Sequence, residues 1–440
     1  SEALELARHE HGHHHLDVAA TLNCIGVLHF HMPKADTDSA MRYYTEALTI
    51  RQSILGDEHG DCATTLNNIG RVFYMKGEYN SAKEMYRASL STRLVILGRD
   101  DLDTAATCYN LGQTHHQCGE LDEAMELYLE FLRIARAKLG NEHRDVAIML
   151  KCVAQIFHER CEYQNALQLY KEALRAGRAA LGDEHPEIAS TLNKIGNLYY
   201  EQGDFDSAIE VYKQGLAVEM AVLDDDHPNI IVTLTNVGQI HKHRGEHRAA
   251  LKMYKEALRI QRKALGPNHP NVAATMSSIA LVNYQRNDLV AALDGYQEVL
   301  RIRRDAYSDD NLDVAATLNS IGLVLFKQGI HELAVQSFSE SLRIRRKLLG
   351  TEHRDIAIIL YNLATVYMED GDEDEAMSYY RETLRVERAA LGRDHKDIVL
   401  TLHHVGQVHQ QRGDLNTALE YFTEALQIER KHTEDGEDYS

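Results

Sequence analysis

Along this chain a pattern of apolar and small residues returns every 42 positions. A small residue marks the register: Gly26, Gly70, Gly112, Ala154, Gly196, Gly238, Ala280, Gly322, Ala364 and Gly406. The first interval is 44 residues and the remaining eight are 42. Four residues upstream runs an apolar column from Leu22 to Leu402, with Cys108 and Met276 as its variants. Downstream runs an unbroken alanine column, from Ala40 to Ala418. Four residues past each alanine stands an aromatic, from Tyr44 to Phe422, and four past that a leucine, from Leu48 to Leu426. Steps of three and four put these residues on one stripe of a helix. Each period therefore predicts two amphipathic helices, for example from about Pro186 to Glu201 and from about Asp206 to Val222.

The punctuation agrees. Gly77, Gly119, Gly203, Gly245, Gly329, Gly371 and Gly413, with Asn287 once, fall between the two helices, where a left-handed residue ends the first. A second glycine column, including Gly56, Gly98, Gly140 and Gly182, ends the second helix. Pro186, Pro228 and Pro270 open a first helix, where the missing N–H costs little. Asp17, Asp61, Asp103, Asp145, Asp313, Asp355 and Asp397 are expected in that same first turn, facing the positive helix end. The small residue lets the helices approach, and the aromatic fills the gap beside the alanine.

The columns L-x-x-[IVL]-[GA] and A-x-x-x-[YF], followed by a leucine, resemble the tetratricopeptide repeat. The 42-residue period, with joints such as Leu265 to Pro270 and helix starts such as Thr65 to Gly70, is similar to the kinesin light chain branch. The resemblance implies an all-α fold, a right-handed superhelical solenoid of about ten helix-turn-helix repeats. HEAT and armadillo units have a similar period, but the unbroken A-x-x-x-[YF] column and two helices per repeat disfavour them. Absence of Trp and of strand alternation excludes WD40 blades. Kinesin light chains also carry an N-terminal heptad coiled coil and fewer repeats. No heptad segment is found here, so motor binding has no support.

The expected division is 1–15 as the end of a preceding second helix with a His-rich loop, 16–432 as the ten-repeat array, and 433–440 as an acidic tail. Leu4 falls in phase with Leu48, so the register predicts at least one more half-repeat upstream in a longer chain. Glu434 to Asp438 lacks a helical pattern and is expected to be a solvated tail.

Charge narrows the function. With 67 acidic and 47 basic residues the chain carries a formal −20, which opposes nucleic acid and anionic membranes. No apolar run is long enough to span a bilayer, and a cytoplasmic location is expected. None of the six cysteines forms a C-x-x-C pair, so free thiols are expected rather than a disulfide framework or zinc site. No phosphate-binding, hydrolase, metalloprotease or dinucleotide motif is present, and no enzyme activity or cofactor is expected.

In tetratricopeptide proteins the first helices line the concave face. Three positions per repeat are read as facing it: three before, two before and one after the small residue. No carboxylate occurs among these thirty positions although the chain is acidic, and amides dominate. The candidate peptide-binding residues are Asn67, Asn68, Arg71, Asn110, Gln113, Lys151, Gln155, Asn193, Lys194, Asn197, Asn236, Gln239, Lys242, Asn319 and Asn362. Amides offer both donor and acceptor to an extended peptide, and the cations favour an acidic segment. The resemblance implies the same, since this family's inner-helix asparagines clamp peptide backbones and kinesin light chain grooves take acidic peptides. Two readings stay open for the amides: ligand contact, or bridging between neighbouring repeats. Leu281 and Leu323 mark either a pocket or a drier seam.

His59, His143, His185, His227, His269, His353 and His395 share one phase in the loop before each first helix. One repeat apart, they are too far from one another to share a metal ion and are expected to bond near helix ends. The run from His9 to His15 offers weak zinc or nickel binding, with no physiological metal site expected. The function expected is a scaffold or adaptor for acidic segments of partner proteins. The alternative is a sensor or regulatory array of a larger multidomain signalling protein. Neither partner identity nor oligomeric state is legible.

Overall fold

Helices fill the two positions of every repeat. The computed structural model describes residues 2–32, 35–224 and 226–437, with side chains described to residue 432. Among the described residues there are 21 helices and no strands. The first unit, Ser1–Val222, holds α1 (Glu2–His11), α2 (Leu16–Phe30), α3 (Thr37–Leu55), α4 (Gly60–Met75), α5 (Tyr79–Ile96), α6 (Leu102–Gln117), α7 (Leu121–Leu139), α8 (Arg144–Glu159), α9 (Tyr163–Leu181), α10 (Pro186–Glu201) and α11 (Phe205–Val222). The second unit, Leu223–Ser440, holds α12 (Pro228–His243), α13 (His247–Leu265), α14 (Pro270–Gln285), α15 (Leu289–Ala306), α16 (Leu312–Lys327), α17 (His331–Leu349), α18 (Arg354–Glu369), α19 (Glu373–Leu391), α20 (Ile398–Gln411) and α21 (Leu415–Glu437). Each unit is a solenoid of five hairpins, in which an even-numbered A helix pairs with the odd-numbered B helix that follows.

The columns bury as their spacing predicts. Tyr44, Tyr86, Tyr128, Tyr170, Tyr212, Tyr254, Phe338 and Tyr380 are among the largest fully buried side chains, and the alanines four residues before them are sealed. The aromatic lies flat on the small residue of its A helix. A Cβ on Gly70 would stand 2.7 Å from the Tyr86 ring, and one on Gly196 equally close to Tyr212. In the hairpin where Ala280 replaces glycine, Gly295 on the facing helix makes the room.

Nine of the ten A helices are capped by a side chain from the loop before them, α20 being the exception. Nδ1 of His15, His59, His143, His185, His227, His269 and His353 accepts the backbone N–H two residues on. Asp101 and Asn311 do the same with a carboxyl and an amide oxygen. The histidine column is thus a capping column. A to B turns pass through left-handed glycines, and two other residues adopt the same conformation, Asn287 at φ 65° and Cys161 at φ 60°.

The two ends differ from the repeats between them. Leu4 of α1 packs with Val18, Leu22 and Ile50, as Leu384 packs with Ile398, Leu402 and Ile428 nine periods later. The lone first helix therefore fills a B-helix position. At the other end α20 begins at Ile398, which makes Asp397 its N-cap residue rather than part of its first turn. The last helix runs to Glu437, so the backbone is helical where no apolar period supports it. The side chains of the expected acidic tail, 433–440, and the backbone of its last three residues lie outside the described residues, as does Ser1. No described helix is long and apolar enough to cross a membrane.

Candidate functional site

The A helices present their unburied faces together, and cavities open on that side in each unit. In the first unit a cavity of about 310 Å³ brings together Gln113 of α6, Lys151 and Gln155 of α8, and Lys194 of α10, with Tyr128 and Tyr170 behind them. Among the described residues lining it there is no carboxylate. A neighbouring cavity of about 480 Å³ gathers Asn67, Arg71, Tyr109, Asn110, Phe131 and Ile148, with Asp145 at its edge.

Polar groups here are held in order. Gln155 Oε1 accepts from the Tyr170 hydroxyl at 3.0 Å and from Lys194 Nζ at 3.1 Å, while its amide donates to Glu159 at 2.9 Å. Lys194 thus spends its charge on an amide oxygen. Lys151 is different: its ammonium sits 3.1 Å from Glu187, which Arg144 also holds at 2.7 Å. Burial pushes the Glu187 carboxyl up, but those two cations outweigh it and hold it below the usual carboxylate range. Arg71 stacks its guanidinium 4.5 Å from the centre of the Phe30 ring. Gln113 donates to the Tyr109 hydroxyl at 2.8 Å.

Several candidate amides bridge neighbouring repeats. Asn68 donates to Asn23 at 3.2 Å, Asn110 to Asn67 at 3.0 Å, and Asn362 to Asn319 at 2.9 Å. Of the two readings left open, bridging holds for these pairs. An amide has a second N–H, so Asn67, Asn110, Asn319 and Asn362 keep capacity for a ligand, whereas Asn68 is buried. Asn193 donates to the buried Glu219 at 2.9 Å, and Asn197 accepts from the Tyr212 hydroxyl at 2.5 Å, so both serve the hairpin. Asn236 lines a cavity of about 290 Å³ in the second unit. Gln239 and Lys242 are half-buried on α12 and line none of the cavities described. Leu323 packs against a core cluster, which is the drier-seam reading.

One set of residues was not anticipated. A position near the end of each B helix reads Arg51, Arg93, Ala135, Gly177, Glu219, Gln261, Arg303, Arg345, Glu387 and Glu429. At three of the four arginines the guanidinium donates into the start of the following A helix, while Arg345 pairs with the Asp355 carboxylate at 2.5 Å. Arg51 Nη1 donates to the Asp61 carbonyl at 2.9 Å and to Thr65 Oγ1 at 2.6 Å. Arg303 repeats this on Asp313 and Thr317, and Arg93 on Asp103 and Thr107. At two of the positions that are not arginine, Gln261 and Glu387, the residue lines a cavity, whereas at Gly177 Ile188 takes up the room and Glu219 is buried against Asn193. Burial pushes the Glu387 carboxyl up to about 7, despite a bond from Thr401, and the nearby Asp397 adds to the rise. The cavity walls include Val232, Ile358 and Leu400, exposed apolar residues, and Ile148, which also packs against a core cluster.

The six cysteines are free thiols. Burial pushes both Cys108 and Cys152 up to about 11. In the His-rich loop, His11, His15 and Asp17 have ligand atoms within 4.8 Å of one another, on an exposed surface. His15 Nδ1 is already engaged as the α2 cap.

Stacked two-helix hairpins with an amide- and cation-bearing A-helix face define a helical repeat protein. The tetratricopeptide repeat profile matches residues 29–94, 103–175, 145–219, 216–263, 229–305, 313–386 and 355–431, and the chain belongs to that family. Among solved structures it is similar to BtubC (BKLC) from P. vanneervenii, at 24% identity over 52% of this chain and 91% of that one, TM-score 0.46. It is also similar to a putative kinesin light chain with nearly identical TPR-like repeats from Podosopora anserina, at 20% identity over 47% and 97%, TM-score 0.42. The apo form of RapI matches at 16% identity over 66% and 99%, TM-score 0.46. No curated protein gives a significant match.

Proposed function

We propose that this chain is a non-catalytic protein-interaction scaffold whose first unit takes an extended acidic segment of a partner on its A-helix face. The observation that carries the reading is the cavity where Lys151, Lys194, Gln113 and Gln155 converge with no carboxylate in the lining. Lys194 is the strongest anchor, because the Gln155 oxygen it donates to is neutral and a ligand carboxylate improves on an amide oxygen. Lys151 contributes less, since a ligand must share it with Glu187. The amides of Asn67 and Asn110 and the ring of Tyr109 extend the same surface towards α4. Thiols raised to about 11 are poor nucleophiles at neutral pH, which supports a binding rather than a catalytic role. Unpaired cysteines fit a reducing, cytoplasmic setting.

The test is calorimetry with acidic and charge-neutral versions of one extended peptide selected on an array. Lys194→Ala is expected to weaken the acidic peptide about tenfold and to leave the neutral one alone. Glu187→Gln releases Lys151 and is expected to tighten it. Equal affinity of native protein and Lys194→Ala for the acidic peptide rules the reading out. Asn193 and Asn197 are poor test positions because the hairpin itself uses them.

A further inference from the structure

Glu387 stands where four other repeats place an arginine that closes the notch to the next A helix. Its side chain lies in a cavity of about 390 Å³ between α18, α19 and α20. The residue is only 9% exposed, and its Oε2 has no hydrogen-bond partner. The charges around it do not neutralise it. Asp397 is a second carboxylate, and the Arg354 guanidinium is held by Asp397 at 2.7 Å. Lys396 lies at the mouth, exposed, with no ion pair to Glu387. A buried, half-satisfied carboxyl group in the wall of a cavity is costly unless something completes it.

The other repeats show what fits such a notch. In Arg51, Arg93 and Arg303 one guanidinium nitrogen, Nη1, donates to both a backbone carbonyl and a threonine hydroxyl at the start of the following helix. The corresponding threonine and aspartate are present beside Glu387 as Thr401 and Asp397. The residues that supply the two acceptors for a guanidinium nitrogen are therefore retained, and a carboxyl group replaces the cation they served. Around the mouth, Ile358 and Leu400 are 47% and 55% exposed, an apolar rim that no described residue covers.

We propose that this notch binds an arginine side chain of a partner protein, with the guanidinium on Glu387 and Thr401 and an adjacent aliphatic residue of the partner on Ile358 and Leu400. Guanidinium is preferred over ammonium because it offers five donors in a flat fork, which matches a carboxyl group set beside a hydroxyl and a carbonyl. The site belongs to the second unit and stands on Glu387, so it does not depend on acidic-segment binding in the first.

The experiment uses the full chain and capped heptapeptides of sequence GSLRLSG with arginine, lysine or citrulline at the centre, titrated by calorimetry. Citrulline keeps the shape and removes the charge. The arginine peptide is expected to bind at least about tenfold more tightly than the citrulline peptide, with lysine between. Glu387→Gln is expected to bring the arginine peptide down to the citrulline level, and Glu387→Arg, which refills the notch from within, to abolish binding of all three. Gln261 and Arg345 occupy this position in other repeats, so both variants suit the fold, and circular dichroism checks them. Lys194→Ala is expected to leave the arginine peptide unaffected, which separates this site from the first-unit groove. Equal binding of arginine and citrulline peptides, indifference to Glu387→Gln, or no binding at about 5 mM peptide overturns the proposal. Agmatine binding as tightly as the arginine peptide also overturns it, because the occupant is then a small guanidine rather than a protein segment.

Discussion

Gly322 lies under the ring of Phe338 so closely that a Cβ at residue 322 would stand 2.6 Å from Cε1. Real Cβ atoms do not approach an aromatic carbon to that distance, so Gly322→Ala must push the ring or the helix aside. Overpacking of this kind costs about 1–3 kcal/mol, and the better helix propensity of alanine returns somewhat less than about 1 kcal/mol. Urea unfolding is expected to show a net loss, partly recovered when Phe338→Leu is added. A Gly322→Ala protein as stable as the native one removes the packing argument for the whole small-residue column.

Cys161 carries the left-handed turn between α8 and α9 at φ 60°, a place that glycine holds in most hairpins. A side chain in that region costs about 1 kcal/mol. Cys161→Gly is therefore expected to raise the stability of the first unit by up to that amount, with a smaller gain for Asn287→Gly in the second, since asparagine tolerates the conformation better. Thermal melts of both variants check the order, and a loss of stability in Cys161→Gly contradicts it.

His185 Nδ1 caps α10 by accepting the Glu187 N–H at 3.2 Å. Losing such a cap costs about 1 kcal/mol. His185→Ala is expected to show that loss, and His185→Asp to avoid it, because Asp101 performs the same task for α6 at 2.8 Å. If Ala and Asp replacements behave alike, the histidine column has some other purpose.

Glu387 links stability of the α19–α20 region to pH. Its carboxyl rises from 4.5 to about 7 on folding, because burial disfavours the charge. Below pH 4.5 the group is protonated folded or unfolded and has no effect. Between 4.5 and about 7 the folded chain keeps a proton that the unfolded chain gives up, so stability falls as pH rises. Above that, the group is charged in both states and the full penalty, on the order of 3 kcal/mol, is present. Hydrogen exchange of α19 and α20, corrected for intrinsic rates, is expected to show faster opening at pH 8 than at pH 5.5. Glu387→Gln is expected to flatten that difference, and an unchanged difference in the variant assigns it to another group.

The hairpins were legible because burial imposes a strict period on Ala124, Tyr128 and their equivalents, and no other use of those positions interferes. Histidine capping was legible as a loop role, though not as a specific acceptor. Cys161 was not, since its place in the turn column is visible only once its φ is known. Nor could residue types separate bridging amides from binding ones: Asn67 and Asn110 need the same donors and acceptors for each other as for a peptide. The notch residues were hidden for a related reason. Arg51, Arg93 and Glu387 read as ordinary charged residues near helix ends, where a cation is favoured by the helix dipole. Only the direction of the side chain shows that the arginines turn inward. At the chain's end, helix α21 outruns its apolar pattern, which no period in the sequence marks.

One position in the hairpin separates joints that an arginine reaches into, as at Arg51, from joints that open on a cavity, as at Gln261 and Glu387. Changing one codon there alters the number and charge of recesses on the array without touching its length, its register or the aromatic spine. Repeats that look interchangeable by their shared columns can therefore differ in what they hold, and duplicated hairpins have a short mutational route to new partners.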